Sequence, residues 1–93
     1  MVKWSPVARA DLKDIYTYIS RDSKYYAKKV ANEFTSRAIE LESYPRMGRT
    51  VEEYSDPDIR EIIIYSYRLI YRISGNDIEI VTLIHCRMNY NPD

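Results

Sequence analysis

The sequence contains one cysteine, one histidine and only two glycines among its 93 residues, and these scarcities exclude several kinds of site. A single cysteine rules out an intramolecular disulfide framework and is typical of a reducing compartment. The histidine and the cysteine are neighbours in residues 85–90, HCRMNY, and no second pair completes a tetrahedral metal site. Gly48 and Gly75 are too far apart for a phosphate-binding loop. We therefore predict a protein without metal or cofactor.

The chain also lacks a charge bias and a long apolar run. Fourteen basic residues balance fourteen acidic ones, so no global field attracts nucleic acid. No apolar run approaches the roughly 18 residues that span a bilayer, and the N-terminus has no signal-peptide core. We expect an intact cytoplasmic protein that makes no membrane contact and forms one domain over residues 1–93. Ten tyrosines are the main excess, and they either rim the core or form a contact surface.

The first half of the chain has the periodicity of two helices. Ser5 is suited to cap the first helix, with Pro6 at the first helical position, and the second run ends before Pro45. The apolar stripe of the first helix consists of Ala8, Leu12, Ile15 and Ile19. The stripe of the second consists of Ala27, Ala31, Phe34, Ala38 and Leu41. A short connection between them predicts an antiparallel hairpin.

The second half is rich in β-branched and aromatic residues. The segments REIIIYS, YRLIYRI and DIEIVTLIHCR are typical of strands, and SGND between the last two is typical of a hairpin turn. We predict an α+β fold in which the N-terminal helical hairpin packs on a three- to four-stranded antiparallel sheet. Strict alternation along the last strand places Ile78, Ile80, Ile84 and Cys86 on the core face.

Arginines recur on one face of each of the last two strands. Alternation puts Arg68 with Arg72 on one strand, and His85 with Arg87 on the other. If the two faces coincide, these four residues line one open sheet surface. The structural interpretation is a solvated face on which the arginines form ion pairs with acidic neighbours, namely Glu61 or Glu79.

The alternative interpretation is metal-free phosphoryl chemistry on RNA, which carries its own nucleophile in the 2′-hydroxyl. Such a ribonuclease needs a base, an acid, and cations around the phosphate. Arginine suits the phosphate because its guanidinium donates two parallel hydrogen bonds and stays charged. The candidate residues are Arg68, Arg87, Tyr90 and His85 for catalysis, and Arg49 and Arg72 for substrate binding.

Five segments follow one another along the chain: DLKDIYTYISRDS, YPRMGRTVEE, IREI, YRLIYRI and IEIVTLIHCR. In this order they resemble the RelE/ParE superfamily of toxins from type II toxin–antitoxin systems. The resemblance covers residues 4–90. It implies a helical hairpin on a twisted antiparallel sheet. It also implies a cognate antitoxin partner, whose extended segment wraps the toxin and neutralises it.

The superfamily divides by target, and this chain resembles both branches. RelE-like and YoeB-like members cleave mRNA in the ribosomal A site. By resemblance, Arg68 matches the sheet arginine directed at the scissile phosphate and Arg87 a second one. Tyr90 matches the C-terminal catalytic tyrosine, since CRMNY is similar to the YoeB-like ending CRYHY. ParE-like members inhibit DNA gyrase, and the patterns P..GR, IRE and H.R resemble these.

From the sequence we predict a growth-arresting toxin that cleaves mRNA on the ribosome without a metal. The alternative is a ParE-like inhibitor of DNA gyrase without nuclease activity. The neutral charge balance and the absence of lysine after Lys29 favour the alternative, because ribosome docking depends on phosphate contacts. The two mechanisms differ at Tyr90, whose hydroxyl only the nuclease needs.

Overall fold

Two helices pack on one face of a five-stranded sheet. The structure, a computed structural model, describes residues 1–88. Its elements are β1 (Val2–Trp4), α1 (Pro6–Ser20), α2 (Lys24–Ser43), β2 (Arg49–Thr50), β3 (Ile59–Ile64), β4 (Tyr67–Ser74) and β5 (Asp77–His85). The predicted α+β class and helical hairpin are confirmed. Neither of the described helices has the length and apolar character required to cross a membrane.

The helix boundaries follow from the predicted capping residues. The Ser5 hydroxyl accepts a hydrogen bond from the Ala8 N–H at 3.0 Å, and Pro6 begins α1 where no N–H is needed. Ser23 caps α2 in the same way by accepting from the Tyr26 N–H at 3.0 Å. The predicted stripe of α1 packs against the core, as do Phe34, Ala38 and Leu41 of α2. Ala31, also predicted in the α2 stripe, is only partly buried. The five fully buried members of α2 are Ala27, Val30, Phe34, Ala38 and Leu41.

The strand order is β1-β5-β4-β3-β2, and the pairs from β2 to β5 are antiparallel. In contrast, β1 runs parallel to β5, with Val2 opposite Ile78 and Trp4 opposite Ile80. The sheet therefore has five strands instead of the predicted three or four, and it is mixed. A strand stub before the first helix was expected, and it forms β1. β2 is two residues long, too short for an alternating pattern to reveal.

A β-bulge in β5 changes which residues face the helices. Ile70 pairs with Thr82, but the next residue, Tyr71, pairs with Ile80, so Val81 is the extra residue. Before the bulge, Ile78 and Ile80 face the helices, as predicted. The prediction that Ile84 and Cys86 share this face was wrong, and Cys86 is exposed. Ile84 packs with the apolar cluster on the other side of the sheet, and Leu83 takes the core position.

Beyond the end of β1, the polar groups along the edge of β5 form hydrogen bonds with side chains of α1 and its N-cap residue. The Ser5 hydroxyl donates to the Val81 carbonyl at 2.7 Å, which bonds the bulge to the start of α1. The Asp11 carboxylate accepts from the Leu83 N–H at 3.0 Å and from the Thr82 hydroxyl at 2.5 Å. α1 therefore occupies the position that a longer β1 would have taken.

We expect Asp11→Ala to lower the free energy of unfolding by about 1–3 kcal/mol, because the Leu83 N–H and the Thr82 hydroxyl lose their acceptor. Urea denaturation measures the loss, and amide exchange at Leu83 should become faster. Asp14→Ala is the matched control, since Asp14 is exposed on the same helix. Equal stability of the two variants would contradict the assigned role of Asp11.

Candidate functional site

Arg68, at the start of the central strand β4, is the centre of a buried ionic network that extends across β3 towards β2. Its Nε donates to Glu61 Oε1 at 2.6 Å. Its two terminal nitrogens bind Glu53 side by side, with Nη2 2.8 Å from Oε1 and Nη1 2.9 Å from Oε2. Nη1 also donates to the Met88 carbonyl at 3.0 Å. One guanidinium therefore joins β3, the loop after β2 and the chain beyond β5.

Strand register explains why these groups meet. Arg68 lies opposite Ile63 in β3, and Glu61 lies two residues before Ile63, on the same face of the sheet. Arg49 of β2 lies opposite Glu61, and its Nε donates to Glu61 Oε2 at 2.7 Å. The side chain of Glu61 is only 4% exposed, so both of its oxygens depend on the two arginines.

A cavity of about 510 Å³ opens beside this network. The charged side chains that line it are Arg49, Glu52, Glu53, Glu61 and Arg68. Three carboxylates thus face two guanidinium groups, which leaves one negative charge in excess. The hydrogen bonds that Arg68 donates to Glu53 and, with a smaller effect, to Glu61 raise its pKa above the ordinary value, although burial opposes this shift. Arg68 is permanently charged, but its charge is already compensated.

Of the predicted site residues, the structure brings together Arg68 and Arg49. Arg72 lies further along β4, with its side chain about half exposed and a 3.4 Å ion pair to Glu79. The ion pairs expected under the structural interpretation are therefore confirmed for Arg68 with Glu61 and for Arg72 with Glu79. The Arg68 pair is buried, however, and does not form a solvated face.

His85 does not share a surface with Arg68. His85 is the cross-strand partner of Tyr67, and Arg68 is the partner of Ile84. Adjacent residues in a strand point to opposite faces, so the proposed common surface of arginines and histidine is not formed. The physical reason is the bulge at Val81, which reverses the alternation beyond it.

The end of β5 offers little preorganised chemistry. The His85 ring packs edge-on against Tyr67 at a centroid distance of 5.6 Å, and its Nδ1 accepts from the Arg87 N–H at 3.1 Å. The side chain of Arg87 is exposed. Tyr90, the fourth predicted catalytic residue, lies outside the described residues. The catalytic roles of these residues stay predictions. Within residues 1–88, no group of three or more potential metal ligands comes together.

Tyr71, which has no signal in the sequence, lies beside this site. Its ring is fully buried, and its hydroxyl donates to the Pro45 carbonyl at 2.6 Å while accepting from the Gly48 N–H at 3.0 Å. The two bonds attach the loop before β2 to the core and so position Arg49 beside Glu61. Tyrosine is common in strands, so its position in the segment YRLIYRI did not indicate that its hydroxyl holds a loop. Glu53 was missed too, because it lies in a loop without periodicity.

The stability of the protein should fall at alkaline pH, partly through Tyr71. Burial raises the pKa of Tyr71 above the ordinary 10.0, with the Gly48 hydrogen bond opposing the shift. Because the folded state holds this proton more tightly, its contribution is complete below pH 10 and declines as the pH rises from there through the folded pKa. Urea titrations between neutral pH and pH 11 measure the slope. Tyr71→Phe should flatten it, and an unchanged slope would remove Tyr71 as its source.

The tyrosines of the described residues differ widely in exposure. Tyr71 belongs to the core, and Tyr67 packs edge-on against Phe34 at 5.8 Å. The larger group has exposed side chains and consists of Tyr18, Tyr25, Tyr26, Tyr44 and Tyr65. Tyr26 and Tyr65 form an edge-on pair at 6.2 Å between α2 and the β3–β4 turn. Burial raises the pKa of Tyr67, with Tyr18 as a smaller cause.

Known structures share this fold. The chain is 22% identical to a chain of the chromosomal ParDE toxin–antitoxin system from P. aeruginosa, with a TM-score of 0.72, covering 90% of this chain and 92% of that chain. Two structures of YoeB–YefM complexes from Staphylococcus aureus give TM-scores of 0.59 and 0.57 at 18% and 17% identity. Each covers 91% of this chain and 94% of the other. At these identities, the likeness establishes the fold alone.

Comparison at the level of sequence identifies the family. No curated protein is significantly similar in sequence to this chain. A family model described as the ParE toxin of the type II toxin–antitoxin system parDE matches residues 2–90, which is nearly the whole chain. The predicted RelE/ParE superfamily is confirmed, and the chain belongs to the ParE toxin family of type II toxin–antitoxin systems.

Proposed function

We propose that this toxin arrests growth by binding DNA gyrase, has no nuclease activity of its own, and is neutralised by a cognate antitoxin protein. This is the second of the two mechanisms that the sequence left open. Membership of the ParE family and the fold shared with a ParDE system support it. The observation that carries it is the state of Arg68, the residue on which the nuclease mechanism depends.

An RNA phosphate needs a cation that is free to receive it. In this chain, Glu53 binds both terminal nitrogens of Arg68 side by side, as a phosphate would, and Glu61 binds Nε. A phosphate would have to displace the Glu53 carboxylate and then enter a cavity with an excess of negative charge. Both steps oppose binding, since like charges repel in a partly buried site. The network favours a structural arginine.

Proton transfer also separates the two mechanisms. A ribonuclease site needs its base and its acid within reach of the same phosphate. His85 lies on the other face of the sheet from Arg68, and its Nδ1 is engaged by the Arg87 N–H. The described residues thus offer no histidine beside Arg68, which favours a toxin that acts by binding.

The antitoxin partner is supported by the family and by the two kinds of solved complex that share the fold. An antitoxin expressed from a neighbouring gene should restore growth when both proteins are produced. It should also copurify with the toxin. Toxicity that no neighbouring gene relieves would argue against this part of the proposal.

Inducible expression with pulse labelling of DNA and protein synthesis tests the target. We expect DNA synthesis to fall first, and Tyr90→Phe to stay toxic, because no proton transfer is required. The purified chain should also block supercoiling of relaxed plasmid by gyrase. If translation stops first and Tyr90→Phe is harmless, ribosome-dependent mRNA cleavage replaces the gyrase mechanism.

A further inference from the structure

Exposed tyrosines gather at the end of the molecule where the α1–α2 turn meets the β3–β4 turn. Tyr26 at the start of α2 packs edge-on against Tyr65 of the β3–β4 turn, with ring centroids 6.2 Å apart. Tyr25 precedes Tyr26, and Tyr18 lies in the last turn of α1, close enough to Tyr67 to affect its pKa. We call Tyr18, Tyr25, Tyr26 and Tyr65 the aromatic end. These four residues are between 45% and 78% exposed.

Tyr65 has a backbone conformation that tyrosine rarely adopts. Its φ is 56°, and within the described residues it is the one position other than glycine with a positive φ. It is the first of the two residues that join β3 to β4, where glycine, asparagine and aspartate are favoured. Backbone strain of this kind concentrates at functional sites. Because the residue is 46% exposed, burial alone does not explain why a tyrosine stands there.

Basic side chains surround the aromatic end. Four of them are exposed, namely Arg21, Lys24, Lys28 and Lys29. Lys29 follows Tyr25 by four residues and Tyr26 by three, so it lies on the same side of α2 as both rings. In the part of the chain that the structure describes, none of the four forms an ion pair with a carboxylate. Asp22 is the single acidic residue from position 21 to position 29, so this end is locally positive in a neutral chain.

We propose that the aromatic end binds single-stranded DNA, with unpaired bases stacked on the tyrosine rings and backbone phosphates held by the basic side chains. Aromatic rings beside cations are the usual means of binding a single strand, and a tyrosine accepts any base because every base has a π-face. A duplex does not fit, since its bases are already stacked on one another. A protein partner fits less well, because lysine is depleted at protein interfaces.

The choice of DNA over RNA rests on the proposed function, because gyrase works on DNA and a DNA strand would lie beside the bound toxin. Binding of a free strand, in contrast, does not involve gyrase. The aromatic end is also separate from the Arg68 network. Tyr67 packs on the helical side of the sheet, and Arg68, the next residue of β4, faces the other side. Failure of strand binding and failure of the gyrase mechanism are therefore separate results.

The test measures fluorescence anisotropy of a labelled oligothymidine of about twelve nucleotides, titrated with the purified chain. We expect saturable binding that weakens as the salt concentration rises. A strand of the same length without bases should bind at least about tenfold more weakly, because its phosphates remain but nothing stacks on the rings. The duplex formed with oligoadenosine should be weaker by a similar factor, because its bases are paired.

Tyrosine variants test the stacking. Tyr18→Ala with Tyr25→Ala removes the two most exposed rings of the aromatic end and should weaken binding at least about tenfold. Phenylalanine at the same two positions should keep binding within about twofold, because the rings remain. Tyr44→Ala is the control: Tyr44 is equally exposed, but it lies at the other end of α2, roughly 28 Å from Tyr25 along the helix.

Further variants test the charges and the strained turn. Lys28→Gln with Lys29→Gln should reduce the slope of log affinity against log salt by about 1.4, because two phosphate contacts are lost. The control, Lys3→Gln with Lys13→Gln, makes the same charge change beside β1 and should leave the slope unchanged. Tyr65→Asn should weaken binding without lowering the stability to urea, because asparagine tolerates a positive φ.

Three results would overturn the proposal. Equal binding by the strand without bases would show that only phosphates are recognised. Tighter binding of an RNA strand than of the matching DNA strand would identify RNA as the ligand. Absence of saturable binding to the oligothymidine would exclude a DNA site. If Tyr18→Ala with Tyr25→Ala then also loses gyrase inhibition, the occupant of the aromatic end is a protein.

Discussion

Arg68→Leu is expected to lower the free energy of unfolding by about 3–5 kcal/mol, because it leaves a buried carboxylate without its main partner. Glu61 is only 4% exposed and loses the 2.6 Å bond from Arg68 Nε. Glu53 loses both of its bonds to the guanidinium, but its side chain is 24% exposed and can reach water. Arg49 keeps its bond to Glu61, so the lower end of the range applies. Urea denaturation measures the loss when both proteins are fitted with the same dependence of the unfolding free energy on urea concentration.

Arg72→Leu is the matched control for this prediction. Arg72 lies on the same strand and also has a glutamate partner, but both side chains of the Arg72–Glu79 pair are nearly half exposed. Exposed pairs contribute about 0–1 kcal/mol, so the control should be almost neutral. Replacing Glu61 with leucine as well should recover part of the loss in Arg68→Leu, since the unpaired charge is then removed. A double variant less stable than Arg68→Leu would contradict this explanation.

The toxicity of Arg68→Leu has to be judged against its stability. A nuclease would lose activity even in the fraction that remains folded, whereas a gyrase inhibitor would lose it only in proportion to unfolding. Arg68→Lys is informative here, because it keeps the charge but cannot reproduce the side-by-side bonds to Glu53. Supercoiling assays at equal concentrations of folded protein should therefore show little difference between wild type and Arg68→Lys.

Gly48→Ala is the second substitution with a large expected effect. A Cβ at this position would lie 2.6 Å from the Tyr71 hydroxyl and 2.7 Å from the Glu61 carbonyl. The tyrosine is buried and the carbonyl belongs to β3, so neither can move freely. Overpacking of this kind costs about 1–3 kcal/mol, and the loss of the Tyr71 hydrogen bonds to Pro45 and Gly48 places the variant at or above the upper end.

Gly75→Ala provides the comparison for Gly48. Gly75 has a positive φ of 60°, and no atom lies within 4 Å of a Cβ placed there. Its substitution should cost about 1–2 kcal/mol through backbone strain alone. Tyr71→Phe should rescue Gly48→Ala only in part, because the ring carbon at 2.9 Å and the Glu61 carbonyl remain too close. Complete rescue would mean that the hydroxyl is the only obstacle.

The helical half of the fold could be predicted from the sequence, because the signals there are local. The helix signals each depend on a few neighbouring residues: Ser5 with Pro6 marks a start, the apolar stripes mark the buried faces, and Pro45 marks an end. The structure has helices at the expected places. The hairpin turn at Ser74–Asp77 was also predictable, since Gly75 takes the positive φ that the turn requires. The short strand β2 was not, because its pairing depends on the position of β3.

The candidate site was only partly predictable. Sequence pattern selected Arg68 and named Glu61 as an ion-pair partner, and both are members of the buried network. Glu53 escaped notice because it lies in the loop after β2, where no periodicity marks its contact with Arg68. The placement of His85 was wrong because a single extra residue, Val81, reverses the alternation of β5.

The sequence by itself determined the class of the fold, the helix boundaries, the residues of the helical core and the superfamily of toxins. These follow from local periodicity and from an ordered set of motifs, which need no knowledge of distant contacts. Tertiary structure alone decided the register of β4 on β5, the capture of Arg68 by two glutamates and the pairing of Tyr26 with Tyr65. Each depends on groups far apart in the chain, and their distances are set only when the sheet has formed.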